Sequence, residues 1–202
     1  MITDIIKLDS SGKGDEEALD ITEKAGNYGN LAHQDILRLR LLSEELIGML
    51  RGIAGKVDSE FWLENKGNEY FIHVKSVIEL SKELREQLIS ASTSGKNAAS
   101  AGFMGKIRDF ISVALLPSKE YDSVMNTAPF GFMAMGCEEV FDETSSYQWT
   151  LQTYKESLDK SEEEDKKEEW DELEKSIVGS IADDVQVSVK GYEVEITIIK
   201  KF

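Results

Sequence analysis

The segment His33 to Gly55, HQDILRLRLLSEELIGMLRGIAG, constrains the fold more than any other part of the chain. Leu39, Leu42, Leu46, Met49 and Ile53 recur at steps of three and four residues, the period of one face of an amphipathic helix, and they mark the stripe that a core must cover. Beside that stripe, Leu41, Glu45, Gly48 and Gly52 follow the same period, so a carboxylate shares a flank with two positions that have no side chain. Each glycine costs a helix interior about 1 kcal/mol relative to alanine. Two returns are open: close approach of another backbone or a ligand to Glu45, or tight packing of a neighbouring helix with Glu45 facing water.

Three elements precede or follow this helix. The first dozen residues mix apolar and turn-forming types and read as an edge strand or arm. Asp15 to Gly29 reads as a first helix with a weak stripe of Ala18, Ile21 and Ala25, punctuated by Gly26 and Gly29. From Glu60 to Ser76 the period changes to two, with Phe61 and Leu63, then Tyr70, Ile72 and Val74, around the turn Asn65-Lys66-Gly67-Asn68. That pattern predicts a hairpin.

A helix is expected through Leu80, Leu84 and Leu88. The following SASTSGKNAASAG, Ser90 to Gly102, holds no large apolar side chain and should be a mobile surface loop. Phe103, Ile107, Phe110, Ile111 and Ala114 form a further helical face ended by Pro117. Between Ser118 and Tyr147 no period is found, only turn residues around the apolar patch Pro129 to Cys137, read as a core edge in preference to a partner contact. Helical spacing resumes with Trp149, Leu151, Tyr154 and Leu158, and Ser161 with Glu164 forms a capping-box pattern. Val185, Val187 and Val189, a Lys190-Gly191 turn, then Val194, Ile196 and Ile198 predict a second hairpin. A layer of helices over one face of a mostly antiparallel sheet buries all these stripes, an α/β (α+β) two-layer sandwich. The expectation is a single domain over residues 1–202 with an insertion at about 116–182.

Charge narrows the function classes. The chain carries 39 acidic and 23 basic residues, a net charge of −16, which argues against nucleic acid and anionic membranes as partners. Glu156 to Glu174 holds eleven acidic side chains and three lysines, half of that net charge. Trp170, Leu173, Ile177 and Ile181 at helical spacing make this run a solvated helix face. No apolar run reaches the roughly 18 residues of a membrane span, and MITDIIKLDSSGKGDEE lacks the basic start and cleavage site of a signal peptide, so the expected location is cytoplasmic. The single cysteine, Cys137, excludes an internal disulfide and is read as a small buried apolar residue. His33 and His73 have no second ligand at metal spacing and are read as structural or surface residues. Ser94-Gly95-Lys96-Asn97 fails the P-loop pattern, with Ser90 where a glycine is required and Asn97 where Ser or Thr is required. Backbone amides there remain able to hold an anion, with Lys96, Lys106 and Arg108 as the nearby cations.

Arg38 to Gly55, RLRLLSEELIGMLRGIAG, resembles the N-box helix of the GHKL ATPase superfamily, particularly the histidine-kinase-like ATPase domain of anti-sigma factors. The hairpin, the small-residue loop and GFMGKIRDF are similar to that family's sheet, nucleotide lid and phosphate site. SASTSGKNAASAGFMGKIRDF and IADDVQVSVKG are also similar to segments of uncharacterised bacterial ATPase-like proteins. The resemblance spans about Asp15 to Ala114. It implies Glu45 as the catalytic glutamate and Gly95, Lys96, Asn97, Gly102 and Gly105 as nucleotide-binding positions.

Two departures count against a working site. Met49 stands where the family has its magnesium asparagine, and Ser76 stands where the family has the aspartate that bonds adenine; Ile53, at the family histidine, is a third difference beside these two. Losing two contacts of about 1.5 to 3 kcal/mol each would weaken binding by about two to four powers of ten. The expectation is a bacterial regulatory protein with a degenerate nucleotide site and a protein partner, with homo-oligomers compatible. The alternative is a competent ATP-binding regulator or serine kinase of anti-sigma type, using ATP and magnesium. The residues leave enzyme status open.

Overall fold

A computed structural model describes residues 1–54, 58–78, 103–116, 137–140, 146–160 and 163–202. Among them the chain forms β1 (Ile6–Leu8), α1 (Asp15–Tyr28), α2 (His33–Ala54), β2 (Ser59–Lys66), β3 (Glu69–Val77), α3 (Phe103–Ala114), β4 (Cys137–Val140), β5 (Ser146–Thr150), α4 (Leu151–Lys160), α5 (Glu163–Lys175), α6 (Ile177–Ile181), β6 (Asp184–Lys190) and β7 (Glu193–Lys201). This is an α+β fold, and no described helix is long and apolar enough to cross a membrane. Contacts divide the chain into two compact units. One comprises Met1–Ile78, Ile177–Gln186 and Glu193–Phe202, the other Glu79–Ser176 and Val187–Tyr192.

In the first unit the strand order is β1-β2-β3-β7, with the start of β6 beside β7. The pairings of β1 with β2, β2 with β3 and β3 with β7 are all antiparallel. Strand alternation sorts the residues into two faces. Phe61, Val74 and Ile196 are cross-strand partners, as are Leu63, Ile72 and Ile198, and all six are completely buried. Helices α1 and α2 cover this face, α1 against β1 and β2, α2 against β3 and β7. Leu39, Leu42, Leu46 and Met49 are at most 3% exposed, so the predicted stripe is the one that meets the sheet. The side chain of Ile53 lies outside the described residues.

The two helices are fastened to each other by polar contacts as well. Thr22 and Ser43 are fully buried with hydroxyls 3.2 Å apart, and Thr22 also donates to the Ala18 carbonyl. Arg51 makes a two-pronged ion pair with Asp15 and donates to the Asp9 carbonyl at 3.0 Å, tying the end of α2 to the start of α1. The opening residues form both an arm and an edge strand: the Met1 ammonium donates to the Asn65 carbonyl, Ile2 bridges Glu64, and β1 follows. The hairpin turn is tighter than the sequence suggests, because pairing extends to Lys66 with Glu69 and leaves only Gly67 and Asn68 in the turn. Gly67 has φ +77, a conformation that suits glycine.

In the second unit β4 pairs antiparallel with β5. Its core gathers Phe103, Ile107, Phe110 and Ile111 of α3 with Trp149, Leu151, Tyr154, Leu158 and Leu173. Phe103, Trp149 and Tyr154 form a ring cluster with centroids 5.9 to 6.5 Å apart. Two expectations are corrected here. The stretch read as aperiodic contains β4 and the start of β5, strands of four and five residues that are too short to establish a period. Trp149 belongs to β5, and the helix starts only at Leu151, where Thr150 caps it by accepting the Thr153 N–H at 3.0 Å.

The acidic run is helical as expected, in α4 and α5, and Leu173 is its buried anchor. The helix breaks before Ile177, which starts α6 and is 39% exposed, so the stripe does not continue through it. The helix through Leu80, Leu84 and Leu88, the loop Ser90 to Gly102, the patch Pro129 to Gly136, Pro117 and Ser161 lie outside the described residues. Nothing is described of the Cys137 side chain.

Candidate functional site

Helix α2 presents Glu45 one step round from its core stripe, partly exposed. Glu45 makes no hydrogen bond or ion pair among the described residues. A Cβ added at Gly48 or at Gly52 would meet no atom within 4 Å. That corrects the packing part of both readings: neither a backbone nor a neighbouring helix approaches the glycines among the described residues, and the flank is open there. Open space beside an unpaired carboxylate can admit a ligand or water equally.

Met49 sits differently. Three residues past Leu46 and seven past Leu42, it is 3% exposed within the core stripe, so its thioether is a packing group. Ser76 is 4% exposed, and its hydroxyl donates to the Asp58 carbonyl at 2.8 Å, holding the entry of β2 to the end of β3. Gly105 is buried in the first turns of α3. Gly95, Lys96, Asn97 and Gly102 lie outside the described residues. Lys106 pairs with Glu169 at 2.9 Å, joining α3 to α5.

A second cluster lies on the other side of the first unit's sheet, where no described helix packs. His73 stacks on Trp62 with ring centroids 4.7 Å apart and planes 2° from parallel. Its Nδ1 is 3.1 Å from Glu195 and 3.0 Å from the Thr197 hydroxyl, while its Nε2 is buried without a hydrogen-bond partner, 4.0 Å from Glu64. The hydrogen bond from His73 holds the Glu195 carboxyl below its ordinary range, against the opposing effect of burial. Lys66 lies over the Phe71 ring at 4.6 Å. The sequence reading of His73 as structural or surface left this cluster unassembled, although strand alternation alone puts Trp62 and His73 on one face. Among the described residues no group of three or more His, Cys, Asp and Glu side chains is arranged to hold a metal ion.

In the second unit the Tyr154 hydroxyl is pushed to a higher pKa by burial, with Glu169 and Glu172 adding to the effect. The Trp149 ring nitrogen is buried without a hydrogen-bond partner among the described residues. These groups belong to the aromatic core, and their burial leaves them no open approach. Comparison of the chain with protein-family models, with curated proteins and with solved structures finds no match.

Proposed function

We propose that the chain is a bacterial, cytoplasmic regulatory protein of the GHKL type, built like the histidine-kinase-like ATPase domain of anti-sigma factors but with a degenerate nucleotide site, and acting through protein contacts. One observation carries the reading. Met49, which the resemblance puts at the family's magnesium ligand, is packed in the core at 3% exposure, and its thioether gives magnesium no oxygen. Ser76, at the adenine position, spends its hydroxyl proton on the Asp58 carbonyl and supports the same conclusion.

The open flank of Glu45, Gly48 and Gly52 favours the second reading, a competent ATP-binding regulator or serine kinase in which Glu45 assists phosphoryl transfer. A thermal-shift series with ATP and ADP, with and without magnesium, separates the two. A nucleotide at 100 times its dissociation constant stabilises the fold by about 2.7 kcal/mol. No shift at millimolar nucleotide is expected. Low-micromolar binding of ATP with magnesium in calorimetry would replace the first reading by the second.

A further inference from the structure

The face of the first unit's sheet opposite α1 and α2, on which no described helix packs, carries a charge pattern with a definite symmetry. Cross-strand register divides the face into rungs. Lys7, Glu60, Lys75 and Glu195 form the first; Trp62, His73 and Thr197 the second; Glu64, Phe71 and Ile199 the third; Lys66, Glu69 and Lys201 the fourth; on β3 and β7 alone a further rung, Val77 and Glu193, lies beyond the first, and Glu193 pairs with Lys75. The outer rungs are charged and the inner ones largely aromatic or apolar. On every strand that crosses both outer rungs the sign reverses: Glu60 and Lys66 on β2, Lys75 and Glu69 on β3, Glu195 and Lys201 on β7.

The outer rungs are equally far from the core-side rung Leu63, Ile72 and Ile198. A two-fold axis parallel to that rung, in the plane of an interface on the open face, lays each strand antiparallel over its own copy. The first rung of one copy then meets the fourth rung of the other. Glu60 comes opposite Lys66, Lys75 opposite Glu69, and Glu195 opposite Lys201, each pair occurring twice. Self-complementarity of one patch under a two-fold rotation is the requirement of an isologous dimer.

We propose that two copies of this chain associate sheet on sheet through this face, with Trp62 and Phe71 in the centre and the charged rungs at the rim. Trp62 and Phe71 are both partly exposed and available for burial. The four rungs contain four lysines and four glutamates, and Glu193 beyond them adds one more, so the patch is close to neutral on a chain of net charge −16. Local neutrality fits a copy of itself better than a strongly basic partner. Aligned sheets pack about 10 Å apart at about −30°, which gives the inner rungs the closest contact. Four strands at about 4.8 Å spacing present a patch of about 20 by 25 Å, at the small end of specific interfaces, so the expected dissociation constant is micromolar.

Sedimentation equilibrium of the full chain from about 1 to 200 μM tests this. A monomer–dimer equilibrium that weakens with added salt is expected. Glu60→Lys and Lys66→Glu, made singly, should each weaken dimerisation about tenfold, because each places like charges opposite one another twice. The double variant E60K/K66E should return to within about threefold of the unsubstituted chain. Within one chain the double variant sets a third positive charge on β2 between Lys7 and Lys75, so a purely intrachain role predicts no rescue. Circular dichroism confirms folding of each variant, and Glu69→Lys with Lys75→Glu supplies the same cycle if either of the first pair fails to fold. A chain that stays monomeric at 200 μM, a dimer indifferent to the single variants, or a double variant without rescue overturns the proposal.

Discussion

His73 on β3 and Glu195 on β7 face each other at 3.1 Å on the side of the sheet away from α1 and α2, and the hydrogen bond between them lowers the carboxyl's pKa. A carboxyl whose folded pKa lies below its unfolded value of about 4.3 contributes stability above that value and loses it as pH falls through the folded one. Carbon-detected NMR titration should therefore find Glu195 titrating below the ordinary carboxylate range. His73→Phe, which keeps a ring against Trp62, should move that midpoint upward. An unchanged midpoint would separate the shift from the imidazole.

The glycines of the helical layer should respond in opposite directions to the same substitution. Gly48→Ala and Gly52→Ala put a methyl into open space within a helix, so each is expected to raise stability by about 0.5 to 1 kcal/mol in urea unfolding. Gly29→Ala should destabilise, because the new Cβ would collide with the Tyr70 hydroxyl oxygen, and that ring is fully buried. Equal effects at Gly29 and Gly48 would contradict the contrast in their surroundings.

Arg51 links three segments, reaching Asp15 with both terminal nitrogens and the Asp9 carbonyl with one of them. Its guanidinium is held charged by the Asp15 hydrogen bond despite partial burial. The pair is about one-third exposed, which screens its Coulomb energy, so Arg51→Ala should cost about 1 to 2 kcal/mol, above the range of an ordinary surface pair. A double-mutant cycle with Asp15→Asn measures the coupling directly. Additive single effects would show that the pair contributes nothing beyond packing of the Arg51 stem.

How much of this was legible follows from element length and from which neighbours a residue needs. Leu39, Leu42, Leu46 and Met49 repeat over several helical turns, and the valines and isoleucines of β6 and β7 alternate over whole strands, so local period was sufficient for both. β4 and β5 offer four and five residues, and Trp149 is followed at once by a helix whose own spacing absorbs it. The Thr150 cap was the available local signal for that boundary. The His73 cluster required register: Glu195 lies 122 residues away, and only pairing of β3 with β7 brings it alongside. Position 49 was readable in the sequence in two ways, as a core residue and through a family resemblance, and burial at 3% exposure bears on the first alone.

Substitutions at Met49 and Glu45 should consequently behave in opposite ways. Met49→Asn replaces a buried thioether by an amide whose polar atoms have no partner in an apolar stripe, and it should cost about 2 to 4 kcal/mol instead of creating a magnesium ligand. Ser76→Asp would set a carboxylate against the Asp58 carbonyl, losing a 2.8 Å hydrogen bond and adding repulsion, so making both changes should destabilise the chain further instead of raising affinity. Glu45→Gln, on the open flank, should leave stability within about 0.5 kcal/mol of the parent. Urea unfolding gives the three stabilities, and calorimetry with ATP and magnesium gives affinity for each variant that remains folded. A stable Met49→Asn protein that binds magnesium nucleotide more tightly than its parent would mean that the thioether does not occupy the core, and would reopen position 49 as part of a site.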